Sequence, residues 1–173
     1  MRKLLLVIDM QNDFIDGALG TAEAEAIVDA VAAEIGKYPA GDVIATRDTH
    51  PDNYLDTQEG RKLPVVHCVK GTEGWEINRK IAAALSDALV IDKPTFGSKV
   101  LAEKLVAMAE LEELEITLVG LCTDICVVSN ALLIKAYLPE TPIRVIESCC
   151  AGVTPASHQA ALDTMRMCQI EVL

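Results

Sequence analysis

The chain has 173 residues, enough for one domain with a full hydrophobic core. Hydrophobic residues make up 51% and charged residues 24%, so the chain is not disordered, and a net charge of −11 argues against nucleic acid or an anionic membrane surface as partner. No apolar run approaches membrane-spanning length.

Strand and helix patterns alternate from end to end, which predicts an α/β fold with a mostly parallel sheet. Lys3 to Ile8 reads as the first strand. Met1-Arg2-Lys3 ahead of it faintly imitates a signal peptide, but Asp9 stops the apolar run early and no small-residue cleavage site follows. The expected compartment is therefore the cytoplasm, where the six cysteines are reduced thiols rather than staples. Ala22 to Ile35 reads as a helix, with Ile27, Val31 and Ile35 on one stripe. Asp42 to Thr46 is a second strand. From Arg47 to Gly74 the chain is polar and irregular, with Val65 to Val69 a candidate short strand, and so long a connection points to function.

Trp75 to Leu85 is a predicted helix, Ala88 to Ile91 a strand, and Lys99 to Met108 a helix that Ser98 can cap. Glu115 to Val119 is a strand broken by Gly120, and the helix after Cys126 runs to about Tyr137, before Pro139. Ile143 to Ile146 is a strand. A helix follows from the Thr154-Pro155 start to about Cys168, with His158 inside it as a structural residue, and Gln169 to Leu173 is the last strand. Residues 1–173 form one domain on this reading. No G-x-G-x-x-G follows a strand, so no nucleotide cofactor is expected.

Three strand ends carry chemistry. Asp9 ends the first apolar run, Lys93 ends Ala88 to Asp92, and Cys126 follows Gly120-Leu121-Cys122-Thr123-Asp124-Ile125. In a parallel sheet these ends share one rim, which would receive an acid, an amine and a thiol. Thr123 and Asp124 are helix-capping types, which puts Cys126 at a helix start, where free N–H groups and the dipole favour a thiolate. The spacing of Cys122 and Cys126 is not the two-residue gap of a redox pair or metal clip, and no second pair matches it.

Five stretches, in order, resemble the isochorismatase-like cysteine hydrolases, the superfamily of nicotinamidases and related amidases. They are Asp9 to Phe14, Thr46 to Pro51, Val66 to Thr72, Lys93 to Phe96 and Gly120 to Val127, and together they span nearly the whole chain. The resemblance implies a three-layer α/β fold: a six-stranded, mostly parallel sheet of Rossmann-like order with helices on both faces. It implies a catalytic triad of Asp9, Lys93 and Cys126. It also implies a cis peptide at Leu121–Cys122 that aims the backbone N–H groups of Cys122 and Cys126 at the substrate oxygen, and a homo-oligomer.

On this resemblance Cys126 attacks a small carboxamide such as nicotinamide, a thioester forms with loss of ammonia, and water releases the acid. Lys93 would lower the thiol pKa and Asp9 would move the proton. Asp48, His50 and His67 suit a divalent metal, zinc first and iron or manganese next, with Glu59 as a possible fourth ligand. Phe14 and Phe96 could stack on a planar substrate. The position where nicotinamidases typically carry a tryptophan is here Leu63, before Pro64, which leaves other amides or carbamoyl compounds open, of the ureidoacrylate or N-carbamoyl kind. Isochorismatase activity and a non-catalytic binding module fit this residue set less well.

Overall fold

The computed structural model describes residues 1–173. It contains β1 (Arg2–Ile8), α1 (Asn12–Ile15), α2 (Ala22–Ile35), β2 (Val43–Asp48), α3 (Gln58–Lys62), α4 (Arg79–Leu85) and β3 (Leu89–Lys93). The second half contains α5 (Lys99–Ala109), β4 (Leu114–Leu121), α6 (Val128–Tyr137), β5 (Ile143–Ala151), α7 (Pro155–Met167) and β6 (Glu171–Val172). All strand pairs are parallel, in the order β3-β2-β1-β4-β5-β6.

The period-2 alternation of β1 builds both cores. Leu4, Leu6 and Ile8 enter one apolar cluster with Leu101 and Leu105 of α5, Ala131 and Ile134 of α6, and Leu162 and Met165 of α7. Leu5 and Val7 enter the other with Ile27, Val31 and Ile35 of α2 and Ile81 and Leu85 of α4. A strand covered on both faces reads as a continuous apolar run, which is what Leu4 to Ile8 is. Each of these side chains, at 0–1% exposure, contributes about 1.5–3 kcal/mol by leaving water.

The sheet order reverses beside β1: the chain moves outward through β2 and β3, then returns to β4 on the other side. That is a topological switch point, and the crevice at the carboxyl ends of β1 and β4 is where ligands bind in such sheets. Gly120 makes this junction possible. Its φ is +118°, and a Cβ there would run into the carbonyl of Ile8.

Several boundaries differ from those expected. Strands β2 and β3 continue to Asp48 and Lys93, which pair in register, because ladder bonds use the backbone and ignore polar side chains. Strand β5 runs to Ala151, past a register shift opposite Leu118 and Gly120 that hides the alternation. Helix α4 starts only at Arg79, where the Asn78 side chain accepts from Lys80 N–H, so Trp75 lies in a turn and not in a helix. Val65 to Val69 is not a strand; its sheet-like contact is a single bridge between Val69 and His50. The last strand is only Glu171–Val172. Two short helices, α1 and α3, lie in stretches expected to be loops.

Candidate active site

Asp9, Lys93 and Cys126 meet at the rim. Lys93 Nζ lies 2.6 Å from Asp9 Oδ2, 3.3 Å from Asp48 Oδ1 and 3.4 Å from Cys126 Sγ. Exposure is 0% for Asp9, 1% for Lys93 and 4% for Cys126. Asp9 follows the last residue of β1 in a left-handed conformation, φ 46°, an uncommon state for a non-glycine residue and one that clusters at functional sites. Thr46 of β2 fixes it: its hydroxyl donates to Asp9 Oδ1 at 2.6 Å. The other oxygen, Oδ2, meets the Lys93 ammonium at 2.6 Å, and a carboxylate oxygen keeps a second lone pair that can receive a proton.

Cys126 sits in a wide π-helical turn, Thr123–Val127, ahead of α6. The residue preceding that turn is Cys122, and no side chain caps it. Thr123 instead bonds His158 Nδ1 at 2.8 Å, and Asp124 accepts from Val153 N–H at 3.2 Å. The Leu121–Cys122 peptide is cis, and the Cys122 N–H has no acceptor within the protein. On the other side, Asn130 is fully buried. It accepts from Ser98 N–H and donates to the carbonyls of Cys126 at 2.8 Å and Phe96 at 3.1 Å, tying the Cys126 turn to the turn after Lys93.

The electrostatics correct one expectation. Burial pushes the Cys126 thiol up, Asp9 adds to that, and Lys93 opposes without prevailing. The net direction is toward the thiol, although Lys93 by itself acts in the expected sense. Burial likewise pushes the Asp9 carboxyl up against the pull of Lys93. For Lys93 itself burial favours the neutral amine, but the Asp9 and Asp48 carboxylates outweigh it and hold the ammonium charged.

Asp48, His50, Glu59 and His67 form a second cluster, each offering one ligand atom, all within 4.8 Å of one another. His50 Nε2 is buried 3.0 Å from Asp48 Oδ2 and 3.7 Å from Glu59 Oε1, yet makes no hydrogen bond. Lone pairs therefore converge there, which a cation relieves. His67 Nδ1 lies 2.7 Å from the Val65 carbonyl, which would fix the tautomer that leaves Nε2 free to ligate. Burial works against charge on His50, but Asp48 and Glu59 outweigh it and raise its pKa, so the pocket favours positive charge. Two imidazoles and two carboxylates suit a divalent first-row metal, and the residues present fit one.

A cavity of about 380 Å³ joins the two clusters. Cys126, Cys122, Asp48, Glu59 and His67 reach it, and Phe14, Leu63, Phe96 and Ile125 give it apolar walls. That volume suits a small organic ligand.

The profile of the Isochorismatase domain matches residues 3–173. The chain belongs to the isochorismatase family. It is similar to the nicotinamidase/pyrazinamidase of Mycobacterium tuberculosis, 28% identical over 187 residues that cover 99% of this chain and 98% of that protein. The structure resembles the pyrazinamidase of Pyrococcus horikoshii in complex with zinc, at a TM-score of 0.82 and 27% identity over 100% of this chain and 99% of that one. It also resembles N-carbamoylsarcosine amidase from Thermoplasma acidophilum, at a TM-score of 0.75 and 26% identity over 99% and 95% of the two chains.

As an isochorismatase-family chain it builds its cavity with few rings. Trp75 is turned away: its Nε1 donates to Thr49 Oγ1 at 2.9 Å and the Arg47 guanidinium lies 3.5 Å above its ring. Four residues important to the geometry escaped the sequence reading. Gln11 clamps Asp48 with both ends of its amide, accepting from Asp48 N–H at 2.7 Å and donating to the Asp48 carbonyl at 2.8 Å. Tyr54 packs its ring 4.6 Å from that of His50 and 4.9 Å from that of His67, and its hydroxyl donates to the Leu63 carbonyl at 2.9 Å. Thr46 and Asn130 are the others. Gln11 and Thr46 lie inside the matching stretches and carry a polar group next to a predicted buried strand, which is a usable signal. Tyr54 and Asn130 had none.

Proposed function

We propose that this protein is a metal-dependent cysteine amidohydrolase that converts nicotinamide, or a close carboxamide, to the acid and ammonia. The observation that carries the reading is the convergence of Asp9, Lys93 and Cys126, with Cys126 lining a cavity that also opens on Asp48, Glu59 and His67 of the second cluster. The names of the relatives support it. Asp48, His50, Glu59 and His67 would hold the ion, zinc by analogy with the Pyrococcus protein, and when bound it supplies Lewis acidity toward a ring nitrogen or another substrate donor.

The chain's own residues do the rest. Asp9 Oδ2 takes the Cys126 proton as sulfur attacks the amide carbon, so the thiolate is made only as it is used. The free Cys122 N–H, with that of Cys126, receives the developing oxyanion. Asp9 passes its proton to the departing nitrogen, ammonia leaves and a thioester remains. Asp9 then takes a proton from water as its oxygen attacks the thioester; collapse releases the acid and the proton returns to sulfur. Lys93 stays charged and holds Asp9 and the sulfur in one place. Phe14, Leu63 and Phe96 would pack on the substrate body.

The test is ammonia release from metal-loaded protein given nicotinamide, with Cys126→Ala as control. Turnover that the variant lacks supports the reading. No ammonia from any small amide, with metal bound, overturns it. A second reading, hydrolysis of a carbamoyl compound, gains from Leu63 standing where a tryptophan is typical. The six unpaired cysteines support a reducing compartment such as the cytoplasm, and the family resemblance supports a homo-oligomer, which light scattering would check.

A further inference from the structure

The wall of the cavity facing the nucleophile is helix α3, and it carries two polar groups that neither the metal cluster nor the triad uses. Gln58, Glu59, Lys62 and Leu63 all line the cavity. Glu59 belongs to the metal cluster. Gln58 and Lys62 lie one helical turn apart on a shared face. Both are exposed, and neither has an ion-pair or side-chain hydrogen-bond partner in the protein, whereas the adjacent Arg61 folds back onto the Asp56 carbonyl.

The helix is tied to the turn that precedes it. Thr57 accepts from Gly60 N–H and donates to the Tyr54 carbonyl, and the Tyr54 hydroxyl holds the Leu63 carbonyl. Gly60 packs so close to the Tyr54 carbonyl that any Cβ would collide with it. The two side chains therefore rise from this tethered helix, through flexible stems, into the cavity mouth.

Charge then decides what they face. Asp9 and Lys93 neutralise each other at 2.6 Å. Asp48 and Glu59 are matched by the divalent ion they would hold. Lys62 is left as the uncompensated charge of the cavity wall, on a protein whose net charge is −11. An acidic surface repels anions in general, so a lone cation at the mouth, with an amide donor beside it, selects for an anionic group arriving there.

We propose that Lys62, assisted by Gln58, makes the cavity selective for carboxamide or carbamoyl substrates that carry a carboxylate away from the scissile bond. This rests on the amidohydrolase reading and narrows its substrate class from neutral amides to acidic ones.

The experiment compares 5-carbamoylpyridine-3-carboxylate with nicotinamide, which lacks only the carboxylate, by ammonia release from the metal-loaded enzyme. The quantity read is the ratio of kcat/KM for the anion to that for the neutral amide. The ratio is expected to fall about fivefold in Lys62→Met and about tenfold or more in Lys62→Glu, where attraction becomes repulsion. It should also fall with added salt in the wild type and not in Lys62→Met. A helix-stabilising lysine would change neither. Ratios within about twofold across all three proteins, with nicotinamide turned over, overturn the proposal and leave the amidase reading standing. If no amide releases ammonia, the amidase reading fails by itself. Calorimetric binding of pyridine-3,5-dicarboxylate gives a readout apart from turnover: weaker binding by Lys62→Glu than by the wild type is expected, and equal affinity overturns the proposal.

Discussion

Cys126 is at 4% exposure beside an ammonium, and the two influences pull its titration in opposite directions. Burial prevails, so the thiol pKa lies above its ordinary value. The sign of the consequence follows. The thiolate fraction is small at neutral pH and grows as pH rises toward that raised pKa. Iodoacetamide alkylation of Cys126, followed by mass spectrometry, should therefore still be accelerating at pH 9; a plateau below pH 7 would mean a resting thiolate. Asp9→Asn separates chemistry from titration. It removes a charge that holds the thiol up, so alkylation at pH 7 should be faster than in the wild type. In the proposed mechanism it also removes the proton acceptor, so kcat for the amide should drop by about 10²–10⁴. Loss of both together would indicate damage to the fold instead.

At the level of elements, the site depends on joints between strand ends. Asn130→Ala leaves the Ser98 N–H and two carbonyls without their partner in a buried setting. It should cost about 2 kcal/mol in urea unfolding, and turnover should suffer with it, since the Cys126 turn loses its tie to the turn after Lys93. Gly120→Ala is harsher. It places a Cβ against the Ile8 carbonyl at φ +118°, where β1 and β4 pair, and soluble yield should collapse. The same joints mark the limit of what the sequence discloses. Helix α2 was legible to the residue, Ala22–Ile35, because its apolar stripe repeats with a helical period over fourteen residues. Asp9, Lys93, Cys126, Asp48, His50 and His67 could be singled out because they lie in short stretches with distinctive order, and the structure brings them into two neighbouring clusters. Helix α3 was not legible: four polar residues and a glycine carry no period, and it exists because Thr57 caps it and Tyr54 holds it. The raised thiol pKa was not legible either, because desolvation depends on what packs around a residue and not on its neighbours in the chain.

Over the whole molecule, the segment between β2 and α4 differs from the rest. Thirty residues, Thr49 to Asn78, contain only a single 3₁₀ turn at Tyr54–Asp56 and the five residues of α3. The second half of the segment is anchored to the stretch after β1: Asp13 accepts from Cys68 N–H at 2.7 Å, the Gln11 amide donates to the Trp75 carbonyl, and the N–H groups of Asn12 and Asp13 bond the carbonyls of Glu76 and Gly74, whereas Tyr54, His50 and His67 pack on one another within the segment. The cluster of Asp48, His50, Glu59 and His67 joins the end of β2 to α3 and to the stretch before Cys68, so an ion there would reinforce the single bridge by which His50 already pairs with Val69. An ion that binds the folded state alone stabilises it by about 2.7 kcal/mol at a hundredfold excess over its Kd. For a chain of this size that is a fall in Tm of about 5–10 °C on chelation. Hydrogen exchange should show where the loss occurs: faster exchange confined to residues 49–75, with β1 and β4 unchanged, since the sheet core makes no use of the ion. A chelated protein with the same Tm and the same exchange pattern would mean that the four side chains hold no metal, and the function proposed above would lose its Lewis acid.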